Sequence, residues 1–115
     1  MPKTVAIVIR TSPLNTLKSV EAFRLGIGLT LQGNKVKLLL TENGAWNALP
    51  LKGRLLERPD ADQFIQSMEL CGVDAYVDSE SLPASLLPGI RPEFRIRTNR
   101  EVMEIIERAE EVIPY

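Results

Sequence analysis

Thr4-Val-Ala-Ile-Val-Ile9 constrains this chain more than any other stretch, being a short, nearly uninterrupted apolar run rich in β-branched side chains. Such a strand is covered on both faces, since a strand with one face in water alternates apolar with polar residues. Helices are therefore expected above and below it. Thr11-Ser-Pro-Leu-Asn15 supplies loop chemistry, and Asn15 or Thr16 is placed to cap a following helix.

From Thr16 to Leu31, the residues Leu17, Val20, Phe23 or Arg24, Ile27 and Leu31 recur at helical spacing, and Gly33-Asn34 ends the helix. Ala22, Leu25 and Leu29 form a second stripe, which reads either as wider burial on the sheet or as a subunit contact. Lys35-Val-Lys-Leu-Leu-Leu40 is the second strand, with Thr41-Glu-Asn-Gly44 as the loop leaving its carboxyl end. A helical crossover of this length joins parallel neighbours and is right-handed.

Further along, Ala45 to Leu49 suits a short helical turn and Pro50 to Pro59 an exposed connection carrying Lys52, Arg54, Glu57 and Arg58. Asp60 is positioned to cap a helix from Ala61 to Cys71, with Ala61, Phe64 or Ile65, Met68 and Cys71 on one face. Val73 to Val77 reads as the third strand, followed by a short helix capped by Ser81 with Pro83 in its first turn. Phe94-Arg-Ile-Arg97 alternates as an edge strand does, and its arginines guard that edge or meet an acidic partner. Thr98-Asn99 opens a last helix with Val102, Ile105, Ile106 and Ala109 buried, and Glu111 to Tyr115 closes the chain as a fifth strand.

The 115 residues suit one domain, 1–115, of α/β class, and the net charge of -1 gives no electrostatic footprint for a phosphate backbone. Nucleic acid is thus disfavoured as a partner. The chain has no histidine, which removes Ser/His/Asp triads, Cys/His pairs and histidine-based zinc and iron sites. No apolar run reaches the length of a membrane span, and a cytoplasmic location without membrane contact is expected. Cys71 is the sole cysteine, and its place after Met68 on an apolar helical face, with Glu69 close by, favours a buried and unreactive thiol.

In a parallel sheet the loops at the carboxyl ends of the strands form the ligand site. Here they bring Arg10, Thr11, Ser12 and Asn15, then Glu42, Asn43 and Trp46, then Asp78 and Glu80, and lastly Thr98 and Asn99. Two readings stand side by side: a small-ligand or nucleotide site, or a set of helix caps and turn formers. Thr11 to Thr16 has no Gly-rich phosphate loop, which favours caps. Glu42, Asp78 and Glu80 offer hard oxygen donors, yet exposed acids after strands are ordinarily solvated, so no metal and no cofactor is expected.

Three stretches together resemble the DsrE/DsrF family of sulfur-relay proteins. They are the opening Lys3–Ile9, Ser19–Leu25 and Gly33–Leu40 pattern running into Glu42-Asn-Gly44 and Ala45–Leu49, the segment Cys71–Asp78 with Ser79-Glu-Ser-Leu82, and the ending Ala109–Tyr115. The resemblance implies a three-layer α/β/α fold, flavodoxin-like in style, with a five-stranded parallel sheet in the order 4-3-2-1-5. It also implies a homo-oligomer, a trimer or hexamer, and a sulfur-relay protein partner. Family carriers use a cysteine just after the third strand, where Val77 or Asp78 stands in this chain. Cys71 lies before that strand, about 20 Å away along an extended chain. The expected function is therefore an accessory, noncatalytic member of a relay assembly, with small-ligand binding as the alternative and persulfide transfer through Cys71 as the least favoured reading.

Overall fold

The computed structural model describes residues 2–13, 18–50 and 59–115. Five strands, β1 (Thr4–Ile9), β2 (Lys35–Leu40), β3 (Asp74–Asp78), β4 (Phe94–Arg97) and β5 (Glu111–Pro114), form one sheet in the order β4-β3-β2-β1-β5. Every pairing is parallel, with Ile7 beside Leu38, Leu39 beside Tyr76, Val77 beside Ile96 and Ile7 beside Ile113. The helices are α1 (Lys18–Leu31), α2 (Pro59–Cys71) and α3 (Asn99–Arg108). This is the three-layer α/β/α arrangement and the strand order that the family resemblance implies.

Side chains alternate between the two faces of the sheet. Val5, Ile7, Ile9, Val36, Leu38, Leu40, Ala75 and Val77 pack with Ala22 and Phe23 of α1 and Ile65 and Met68 of α2. The other face sets Ala6, Val8, Leu39 and Tyr76 against Val102 of α3, flanked by half-buried Ile105, Ile106 and Ala109. Among the described residues one face thus has two helices and the other has one.

That asymmetry creates the site. Five strands spaced about 4.8 Å apart make a sheet roughly 19 Å wide, and a ten-residue helix is only about 15 Å long and 10 Å thick. α3 starts beyond the carboxyl end of β4 at one edge and hands over to β5 at the opposite edge, so it crosses the face diagonally. Among the described residues two corners of that face have no helix over them. One lies over the amino ends of β2, β3 and β4, where Lys37 and Arg95 both reach Asp74 at 2.5 and 3.7 Å, and the Asp74 hydrogen bond holds the Lys37 ammonium above its usual pKa. Arg95 and Arg97 also stack over Tyr76, each 5.8 Å from the ring centre, so these edge arginines are packed as well as charged. The other bare corner lies over the carboxyl ends of β1 and β5.

Several local expectations are corrected. β3 starts at Asp74 and not Val73, because Gly72 turns the chain at φ 88° and the Val73 N–H bonds back to Met68 O at 2.9 Å. α2 starts at Pro59 and not at Ala61, which places Asp60 within it. Ser81 does not cap the turn that follows it: Asp78 caps a 3-10 turn over Ser79–Ser81, and Pro83 is the cap of a second, Ala84–Gly89. Cys71 is half-buried and not enclosed in the core, at the last position of α2. In the second stripe of α1, Ala22 is core, while Leu25 and Leu29 are half-buried beside a groove of about 430 Å³ that also touches Glu21, Arg24, Gly28 and Gln32. The expectations for Leu17, for capping by Asn15 or Thr16, and for residues 51–58 lie outside the described residues.

The loop before β4 is held by a nearly buried ion pair, Arg91 Nη2 to Glu93 Oε2 at 3.0 Å, seconded by Nε to Oε1 at 3.2 Å, with side chains 12% and 11% exposed. The Arg91 N–H also donates to Ala48 O at 2.8 Å, fastening this loop to the segment after β2. The arginine hydrogen bonds hold the Glu93 carboxyl below its ordinary value of 4.5. A carboxylate depressed on folding stabilises the fold above its unfolded pKa, and that contribution is lost as pH falls through the lower folded value. Glu93→Gln is therefore expected to cost about 2 kcal/mol at neutral pH and to flatten the decline in stability below pH 4.5, a contrast read from urea unfolding across that range.

Candidate functional site

A cleft of about 460 Å³ occupies the second bare corner, walled by Val8, Arg10, Thr41, Glu42, Asp78, Glu80, Ser81, Asn99, Met103, Ile106 and Val112. Its position outside the carboxyl ends of the strands is where a parallel sheet places ligands.

Its walls are built by local rules. The Arg10 N–H donates to Tyr115 O at 2.9 Å and the Thr41 N–H to Ile9 O at 3.0 Å, so the strand ends are tied to one another. Glu42 follows at φ 54°, in the left-handed region that costs a side-chain-bearing residue about 1 kcal/mol or more. Its N–H donates to Ser81 Oγ at 2.9 Å, joining the loops after β2 and β3. A 3-10 turn then runs from Glu42 to Ala48, and buried Asn47 donates to Gly44 O at 2.9 Å and to Thr11 O at 3.2 Å.

On the far wall, Asp78 is 2% exposed. Its Oδ1 accepts from the Glu80 N–H at 2.8 Å and its Oδ2 from Asn99 Nδ2 at 2.7 Å. Glu80 Oε2 accepts from the Asn99 N–H at 2.6 Å. Thr98 and Glu101 complete a capping box at the start of α3, and the Thr98 hydrogen bonds hold the Glu101 carboxyl below its usual range. The acids of this wall cap helix ends, as the conservative sequence reading has it.

Arg10, Glu42, Asp78, Glu80 and Asn99 are thus brought together, while Thr11, Ser12, Asn43, Trp46 and Thr98 are not part of the wall. Thr11 is half-buried, and its Oγ1 has no hydrogen-bond partner among the described residues. Trp46 packs against the core, Asn43 is exposed, and Asn15 lies outside the described residues. The sequence reading missed Thr41, Ser81 and the apolar floor of Val8, Met103, Ile106 and Val112. Asn99, Met103 and Ile106 recur at helical spacing, a signal that marks one side of α3 without saying which strand it meets.

Among the described residues no group of three His, Cys, Asp or Glu side chains is placed to hold a metal, and no helix is long and apolar enough to cross a membrane. Asp78 and Glu80 spend their oxygens on N–H groups instead.

The fold and cleft define an α/β/α protein with a fully parallel five-stranded sheet and a mixed polar and apolar pocket at its strand ends. It is similar to the ychN protein from E. coli, whose crystal structure matches it with a TM-score of 0.80 at 17% identity, over 100% of both chains. At that identity the likeness shows a shared fold. No family model matches the chain, and no curated protein matches it.

Proposed function

We propose that residues 1–115 form one DsrE/DsrF-like domain that acts by binding and carries no sulfur itself, as an accessory member of a relay assembly in the cytoplasm. One observation carries this reading: neither Val77 nor Asp78, the two residues at the position expected for a carrier thiol, holds sulfur, and the buried Asp78 carboxylate is fixed by the Glu80 and Asn99 hydrogen bonds. A carboxylate has no sulfur chemistry, and one locked between two donors is a structural clasp. Cys71 precedes β3, at the end of the sheet away from the cleft, so sulfur bound there would face a different surface.

Intact mass after exposure to a persulfide donor tests this. The expected result is no stoichiometric gain. Addition of one sulfur, lost in Cys71→Ser, would restore the carrier reading. Assembly into a trimer or hexamer and contact with a relay partner belong to the same proposal, supported by the groove along Leu25 and Leu29 of α1. Light scattering that returns only a monomer would count against it.

A second reading, small-ligand binding, is favoured by the cleft itself, whose volume falls within the usual range of about 300 to 1,000 Å³ for ligand sites. Binding there needs no thiol and is compatible with the absence of histidine.

A further inference from the structure

Resting on the reading of the cleft as a small-ligand site, we infer that its ligand is an apolar α-amino acid, with its carboxylate on Arg10, its ammonium on Glu42 and its side chain on the floor. The charged groups around the cleft divide into two kinds. Asp78 and Glu80 already accept hydrogen bonds from the β3 loop and from Asn99. Among the described residues Arg10 and Glu42, with side chains 61% and 70% exposed, meet only each other, at 4.0 Å from Nε to Oε2. That separation is beyond a hydrogen bond. The guanidinium donors and the carboxylate acceptors are both open to a ligand.

The pairing selects the ligand's charge. A lone carboxylate would sit on Arg10 but meet Glu42, Asp78 and Glu80 as like charges, and a lone amine would face Arg10 in the same way. A molecule with both charges on one carbon satisfies both groups, and an arginine fork is shaped for a carboxylate. The floor selects the rest. Met103 and Val112 are 46% and 47% exposed, large apolar side chains with no cover among the described residues, and they stand beside Val8 and Ile106. An aliphatic side chain laid there removes that surface from water. The backbone supports the arrangement, because Glu42 is held at φ 54° and its N–H is fixed to Ser81, which sets where the carboxylate starts.

Amide chemical shifts of isotope-labelled protein, titrated with L-leucine, 4-methylpentanoate, 3-methylbutylamine and glycine, test this. Leucine is expected to shift residues of the cleft at millimolar concentration, with each single-charge analogue about ten-fold weaker or more and glycine weaker still. Arg10→Gln and Glu42→Gln, both at exposed side chains, should each weaken leucine by a similar factor while leaving the spectrum of the core unchanged. An analogue that binds at the cleft as well as leucine would keep the cleft as a ligand site and overturn the amino-acid assignment. Cleft amides that respond to none of the four compounds would likewise overturn the amino-acid assignment. Neither outcome touches the persulfide result.

Discussion

Gly44→Ala should be the most damaging single-methyl change in the protein, costing more than about 3 kcal/mol or abolishing the fold, because overpacking against an immovable neighbour is far costlier than ordinary surface change. A β-carbon at Gly44 would stand 1.9 Å from Ile9 O and 2.6 Å from Ile9 C. Those atoms belong to the backbone of β1, whose residues are buried and which is paired on both sides by β2 and β5. No side chain can swing away to make room. The same Ile9 oxygen accepts the Thr41 N–H, so relieving the clash would also break the bond that closes β2 onto β1. Gly28→Ala is the matching control, since a β-carbon there meets nothing within 4 Å on the outer side of α1. In a helix interior it should gain up to about 1 kcal/mol. Urea unfolding of the two variants should therefore separate them by several kcal/mol, and a Gly44→Ala protein as stable as the parent would show that the loop can lift off β1.

Much of the fold was legible because its strands are short, bounded and strongly patterned. The apolar runs at Val5–Ile9 and Leu38–Leu40 read as doubly covered strands and are buried on both faces, and Phe94–Arg97 read as an edge strand and takes the edge. The helical spacing of Val102, Ile105, Ile106 and Ala109 named the buried face of α3 correctly. What periodicity could not supply was the neighbour of each face. Met103 and Ile106 border the cleft only because one helix crosses a five-stranded sheet on the diagonal, a matter of widths and lengths and not of any local motif. The exposure of Cys71 was missed for a related reason: spacing put it on the core face of α2, but the core ends where the helix does. Asp78 was legible as a strand-end acid, whereas its burial depends on Asn99, twenty-one residues on, returning to the same spot.

That return makes Asp78 the second large effect. Asp78→Ala is expected to cost about 2 to 3 kcal/mol, because it removes two hydrogen bonds to a buried carboxylate, and bonds to a charged group are worth more than neutral ones. The carboxylate bridges the end of β3 and the start of α3, taking the Glu80 N–H on one oxygen and Asn99 Nδ2 on the other, at 2.8 and 2.7 Å. Truncation also frees Asn99 on one of the two ties that hold it to this loop, leaving the Glu80 contact to the Asn99 N–H. Asp78→Asn keeps the shape and one oxygen, so it should recover one of the two bonds, but its amide NH2 would then face the other donor. The asparagine variant is therefore expected to lie between alanine and the parent, and nearer to alanine. Loss of the clasp should also show locally, as faster hydrogen exchange in the first turn of α3 with the central strands unaffected. An alanine variant within about 0.5 kcal/mol of the parent, the spread of ordinary surface substitutions, with unchanged exchange in α3, would mean that the Asp78 carboxylate is not what joins β3 to α3.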